Sequence, residues 1–530
     1  MAREMQSIMK GAAILTIASF IAKLLSAVYR VPFQNLVGDE GFYVYQQIYP
    51  IYGIAMTLAL SGLPQFVSKY VAAQNSLAEE KQAMQRLMPL LSALSIGLWG
   101  LTLFGSGWIA SLMGDRSLQP LLQVVSFTFL LMPGSSYYRG YFQGRLQMIP
   151  TAISQVLEQL VRVGIIIVAA LFFYYLGWDV YQTGTLAMAG SVAGGLLAYA
   201  VLYYYDGKIN GHGLSTRDIS LRSWPDKALL RRFIIEGGLV SIYSGFLILF
   251  QLVDSFFVKN YLVVAGLSEE AAKIAKGVYD RGQPLVQLGL VVATALSATF
   301  LPPLTKSFLT RNQQQFQKNA TIYLRLTASL ALAATLGLVL LAPFINYALF
   351  KDLVGNPTLI VFVLAVGLMA LIQTYQSITQ SQNIFRKPLR GALLGFFTKL
   401  LTTGLLTYTL GTVGASLSTI LGLLVTLVYL IRLLPPEINQ FWRKQQFNRK
   451  LYRCLAVMTA VIFILYGVIL VSGLYTHRSQ ALWWSLTGVA LGASAFVITA
   501  IRVRLFTIRE WLMFPFGEKI LRFVQRREKK

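Results

Sequence analysis

Long apolar runs separated by short polar breaks recur from the start of the chain almost to its end. Bounded by glycine, proline or charge clusters, they fall at 11–36, 42–72, 87–113, 119–142, 151–176, 183–205, 231–258, 278–306, 320–349, 357–384, 389–409, 412–434, 451–474 and 480–502. Each is at least about 20 residues long, enough for a helix to cross a hydrocarbon core about 30 Å thick. The pattern predicts an all-α, polytopic membrane protein of about fourteen transmembrane helices. The start, MAREMQSIMKGAAILTIASF, has the basic end and apolar run of a secretory signal. That run continues past Lys23 to Leu36, so it reads as a retained first helix.

Composition and charge sharpen this picture. Apolar residues make up 55% of the 530 positions and charged residues only 13%, yet the net charge is +25. Most Lys and Arg lie in the N-terminus, the even-numbered connections and the C-terminal tail, the distribution that keeps basic loops inside the cell. Both termini are therefore expected on the cytoplasmic side of a bacterial-type plasma membrane. The basic excess is topological, and the interleaved apolar spans exclude an ordinary nucleic-acid domain. A single cysteine, Cys454, and two distant histidines, His212 and His477, indicate no disulfide, metal or cofactor chemistry.

An internal correspondence organises the spans. Gly41, Tyr43, Gly53, Ala59, Leu60 and Ser61 in the second span match Gly277, Tyr279, Gly289, Ala295, Leu296 and Ser297 in the eighth at one constant offset. Leu63-Pro64 and Leu301-Pro302 follow, and Pro150 with Arg162 parallels Pro388 with Lys399. The expected organisation is an N-lobe of six helices (1–205), a cytoplasmic connector (206–230) and a C-lobe of six helices (231–434). Two extra helices (435–502) and a basic amphipathic tail (503–530) complete the chain. Paired spans six helices apart share an orientation, which places a substrate path between the lobes. Pro50, Gly53, Gly62 and Pro64, with Pro284, Gly289, Pro302 and Pro303, favour helices that bend. The tail mixes Ile520, Leu521, Phe523 and Val524 with Lys519, Arg522, Arg526 and Arg527, a composition suited to anionic membrane lipid.

Charge at membrane depth costs several kcal/mol by insertion scales and marks a cavity, a partner or a pathway. Lys23, Arg30, Arg162 and Lys399 lie inside spans, and Arg281 lies near the outer end of the eighth. Lys23 and Lys399 have no acid within four positions on their own helices, so they require cavity water, a substrate or an acid from another helix. Arg162 has two readings: a pair with Glu158, one turn earlier, or a substrate contact. Arg30 and Arg281 either line the cavity or snorkel to the interface. Glu158, Glu236 and Asp254 are candidates for a coupling proton or sodium ion and equally for charge pairing. Tyr43, Tyr45, Tyr49 and Tyr52 read first as an interfacial aromatic belt.

The segments KLLSAVYRVPFQNLVGDEGFYVYQQIYPIY, GLPQFVSKY, YYRGYFQGRLQMIPTAISQVLEQLVRV and YDRGQPLVQLG resemble the multidrug/oligosaccharidyl-lipid/polysaccharide exporter superfamily. The likeness is to its polysaccharide-biosynthesis branch, which includes the stage V sporulation protein B group and the peptidoglycan lipid-precursor flippases. This resemblance implies a two-lobed, non-enzymatic transporter that moves a polyprenyl-pyrophosphate-linked sugar from the inner to the outer leaflet by alternating access. It also implies a cationic cavity, to which Lys23, Arg30, Arg162, Arg281 and Lys399 would contribute, and a lipid-tail groove within 451–502. Better-known lipid-precursor flippases carry an arginine within the second helix, whereas this span has only Lys69 at its end. Two other functions compete. A cation-coupled drug exporter would want unpaired acids in an aromatic cavity, and a membrane glycosyltransferase would want a carboxylate-bearing catalytic loop, which the sequence lacks. A non-transporting scaffold is the remaining alternative.

Overall fold

In a computed structural model, residues 2–211, 225–442, 446–472 and 477–511 are described. The middle of the expected connector and the tail beyond Trp511 lie outside them. The described residues form helices and turns without strands, and 12 helical runs are long and apolar enough to cross a membrane. Two of those runs are double. Residues 17–72 span 56 residues, about 84 Å if straight, nearly three hydrocarbon thicknesses. The Tyr29 and Tyr45 hydroxyls are nevertheless 2.8 Å apart, although 16 residues of straight helix would separate their backbones by about 24 Å. The chain reverses between them at Gly38 (φ 73°, ψ −177°), a conformation essentially restricted to glycine.

The same device recurs at Gly411 (φ 59°, ψ −140°) in the 48-residue run Arg386–Leu433. Across this turn the Thr403 and Ser418 hydroxyls meet at 3.1 Å. With both runs divided, the expected fourteen helices are present: α1 (2–37), α2 (39–72), α3 (Leu77–Phe104), α4 (Gln119–Gly144), α5 (Met148–Leu176), α6 (Val180–Asn210), α7 (227–264), α8 (Glu269–Leu309), α9 (Gln313–Phe350), α10 (Asn356–Ser381), α11 (386–410), α12 (412–433), α13 (Phe447–Ser472) and α14 (Arg478–Arg502).

These helices form two compact units: residues 1–284 with 392–418, and residues 285–391 with 419–530. The six-helix lobes read from the repeat are a different division, defined by sequence correspondence rather than by packing. In the first unit, α2 is the central element. Its buried residues include Phe42, Tyr43, Val44, Tyr45, Ile48 and Tyr52, nearly all round the helix, as expected of a helix enclosed by neighbours. Around Leu58–Gly62 it widens into a π-turn, where it crosses α7 so closely that a Cβ on Gly62 would collide with Ser241. A second π-turn, Phe233–Gly237, lies near the start of α7.

The second unit packs α9 against α10, α13 and α14. Gly488 on α14 lies against Leu341 on α9, and the Tyr466 hydroxyl of α13 donates to the Leu340 carbonyl at 2.6 Å. Arg478 at the start of α14 donates to the Ala348 and Leu349 carbonyls, which end α9 without helical partners. Arg325 on α9 is 3.2 Å from Glu510 and donates to the Leu505 carbonyl, holding the chain after α14. α13 buries Cys454, Met458 and Ile462 but exposes Ile464, Leu470 and Val471, an apolar outside that only a lipid environment accommodates.

The reversal at Gly38 predicts a specific stability contrast. No atom lies within 4 Å of a Cβ added at Gly38 or at Gly337, so conformation alone separates the two sites. Gly38→Ala should destabilise by about 1–3 kcal/mol because of its backbone angles. Gly337→Ala, in the interior of α9, should be neutral or stabilising by up to about 1 kcal/mol. Apparent melting temperatures in detergent, read by tryptophan fluorescence, test this; equal shifts would contradict the conformational assignment.

Candidate functional site: buried cations of the first unit

The chain reversal at Gly38 places α1 beside α2 and brings two arginines into a cage of tyrosines. Arg162, from α5, is fully buried. One of its terminal nitrogens donates to the Tyr29 and Tyr45 hydroxyls, each at 2.9 Å, and the other donates to Gln159 Oε1 at 2.9 Å. Its guanidinium carbon lies 4.3 Å from the Tyr52 ring centroid, and that of Arg30 lies 4.3 Å from the Tyr49 centroid. Among the described residues Arg162 contacts no carboxylate; neutral hydroxyls, an amide and ring faces surround it instead. A desolvated cation over an aromatic face gains about 2 kcal/mol or more, and charged hydrogen bonds are about twice as strong as neutral ones. Together they offset an ion-burial cost of several kcal/mol.

Several other buried charges form ion pairs. Glu158 shares a turn of α5 with Arg162 but bonds Arg139 of α4 at 2.8 Å. Arg139 also donates to Ser154 Oγ and the Ala59 carbonyl, so one guanidinium ties α4 to α5 and α2. A narrow pocket of mixed polar and apolar lining lies beside this pair, bounded by residues including Tyr52, Met56, Thr128, Met132 and Ser191. Lys399 of α11 lies 2.7 Å from Asp254 of α7, both almost completely buried, and the Tyr279 hydroxyl donates to the same carboxylate at 2.9 Å. Lys276 and Asp280 pair at 2.6 Å within α8, and Asp280 is within electrostatic range of Arg30 and Asp254. Arg281 makes a forked pair with Asp39, using Nε at 2.9 Å and Nη2 at 2.5 Å.

Arg30, Arg162, Arg281 and Lys399 are thus gathered in one unit with Glu158 and Asp254. Lys23, two turns before Arg30 on α1, has an exposed side chain. Glu236 stands apart, in an exposed pair with Arg232 at 3.0 Å. The in-helix pairing of Glu158 with Arg162 gives way to tertiary partners. Tyr43, Tyr45, Tyr49 and Tyr52 are buried rather than exposed as a belt, because α2 is enclosed. Tyr29, Arg139, Gln159, Asp39, Lys276 and Asp280 complete the site and were not singled out in the sequence. Arg139 was legible in principle, as a base inside YYRGYFQGR within the 119–142 span.

Fold and buried charge together define a polytopic membrane protein with cations held in its interior. The model for the family described as "Polysaccharide biosynthesis protein" matches residues 8–308, and the chain belongs to that family. It is 33% identical to the uncharacterized membrane protein YabM of Bacillus subtilis (strain 168), with 98% of this chain and 97% of that protein covered. It is 26% identical to the lipid II flippase MurJ of the same organism, over 80% and 81% of the two chains. A solved lipid II flippase MurJ in an inward closed conformation has the same fold: TM-score 0.69, 14% identity, covering 93% of this chain and 99% of that one.

The Lys399–Asp254 pair gives a double-mutant prediction. Lys399→Met strands a buried carboxylate and should cost about 3–5 kcal/mol. Adding Asp254→Asn should recover most of that loss. Thermal unfolding of the four variants measures the coupling; strictly additive losses would show that the contact carries no pairing energy.

Proposed function

We propose that the protein is a transporter, not an enzyme, and that it moves a polyprenyl-pyrophosphate-linked sugar, a cell-wall or polysaccharide precursor, from the inner to the outer leaflet by alternating access. The observation that carries this reading is the gathering of Arg30, Arg162, Arg281 and Lys399 inside one unit of a chain from the polysaccharide biosynthesis family. A pyrophosphate presents clustered negative oxygens that must leave water in passage. Arg can hold them with forked hydrogen bonds and Lys as a compact charge. Lys23, exposed on α1, is the first cation an incoming headgroup would meet, and residues 451–502 would guide the lipid tail. The six-helix lobes of the repeat would be the moving parts, with both termini and the basic tail on the cytoplasmic side.

Glu158 and Asp254 bear on the energy source and on the drug-exporter alternative. Each already holds a basic partner, Arg139 or Lys399, which an organic cation or a coupling ion would have to displace. The membrane potential suffices in sign. Outward movement of an anion is favoured by about 2.3 kcal/mol per charge per 100 mV if the whole field is crossed.

Purified protein in proteoliposomes should move a polyprenyl-pyrophosphate sugar, faster under a potential that drives anions in the transport direction, and should transport cationic dyes little. Lys23→Glu should suppress lipid movement by repelling the headgroup. Dye antiport driven by a proton or sodium gradient, with no lipid translocation, would reverse the reading. The sidedness has its own test: with Cys454→Ser as background, a cysteine at Ser76 should be labelled only from inside and one at Gly266 only from outside. The opposite pattern would invert the topology.

A further inference from the structure

We infer that the turn between α7 and α8 is a latch, clamped by two lysines onto the turn between α3 and α4, and that it holds the outer side of the transport path shut. The inference rests on the transport reading for its purpose and on the following contacts for its existence. Asp115, 6% exposed, is the hub. Its carboxylate accepts hydrogen bonds from the Ser117 amide at 3.1 Å and from the Tyr181 hydroxyl at 2.8 Å, joining the α3–α4 turn to the start of α6. Lys273, at the start of α8, lies 3.5 Å from Asp115 and donates to the Tyr181 hydroxyl at 2.6 Å.

A second lysine grips the same turn from the other side of the hairpin. Lys259, near the end of α7 and 1% exposed, donates to the Gly114 carbonyl at 2.7 Å while pairing with Glu269. Beside it, Asn260 donates to the Leu112 carbonyl at 2.9 Å, and a Cβ on Gly114 would collide with the Asn260 side chain. Lys259 and Asn260 therefore take up carbonyls near the end of the short helix Ser106–Leu112, groups that a helix end leaves without internal partners.

These contacts have the character of a latch rather than of a core. They are polar and rest on side chains from one hairpin against backbone and carboxylate groups of another. Such bonds exchange for water at modest net cost, unlike apolar burial, which is lost outright on parting. The clamp also joins residues on either side of the connector. Asp115 and Tyr181 belong to the repeat's N-lobe and Lys259 and Lys273 to its C-lobe, so lobes that part on this side must release both lysines. Under the proposed topology this turn faces outward.

The test uses full-length protein in proteoliposomes with Cys454→Ser as background and spin labels at Ser111 and Glu270, both exposed. Wild-type protein should give mainly one short distance. Lys259→Met with Lys273→Met keeps the aliphatic stems and should raise a longer-distance population on the order of tenfold. Lys273→Arg, which keeps the charge, should retain the wild-type distribution, and Asn260→Ala should shift it in the same direction as the methionines without changing any charge. Unchanged distances in both the double methionine variant and Asn260→Ala would overturn the latch. Lipid translocation is measured on the same vesicles: parted turns without lipid movement in any variant would refute the transport reading and leave the latch standing, whereas translocation with unchanged distances would refute the latch alone.

Discussion

A cation in a low-dielectric interior must find a partner, and this chain solves that problem in two ways. Lys276, Arg281, Lys399 and Arg139 each hold a carboxylate, within one helix or across two. Arg162 instead takes hydroxyls, an amide and aromatic faces. The distinction matters because a carboxylate neutralises a cation, whereas tyrosine solvates it and leaves the positive charge in place. The tyrosine cage thus preserves a net charge at membrane depth, and the ion pairs fix the helices around it.

The architecture was largely legible because its determinants are local. Span length follows from bilayer thickness, and the reversals that divide the two double runs sit at Gly38 and Gly411, in the gaps left between the apolar windows at 36–42 and 409–412. Partner choice was not legible, because it depends on which helix faces which. Glu158 and Arg162 satisfy the spacing of an in-helix pair, yet each finds a better partner on a neighbouring helix. Asp39 was hidden for a related reason. It lies in a short turn between two spans, where an acid looks solvated, and becomes the forked partner of Arg281 only when α8 packs beside it. The tyrosines of α2 were misread as a belt because their spacing alone does not say whether a helix is peripheral or enclosed.

On the proposed transport reading, the mixture of apolar packing and polar ties also separates what stays from what moves. Around α2 the contacts are close and apolar; Gly62 lets the backbone approach where a Cβ would collide with Ser241, and Gly53 packs tightly against the Ile248 side chain. Such packing is intolerant of small displacements. At the turns between helices the ties are ionic and hydrogen-bonded, and water can replace them. A protein that alternates between two states needs this division, since interfaces that part repeatedly cannot depend on burying large apolar areas each time.

An anionic headgroup would meet these cations in different states of neutralisation. Arg281 and Lys399 are already neutralised, so a pyrophosphate would have to displace Asp39 or Asp254 and leave that carboxylate to find water or another donor. Arg162 carries no such competitor, and its present partners are neutral groups that an anion could exchange without creating a stranded charge. On the proposed transport reading, the tyrosine-held arginine is therefore the less costly contact, and the ion-paired cations engage only as their helices separate. Access to the site and availability of its charge would then be governed by one event, the parting of helices that now neutralise one another.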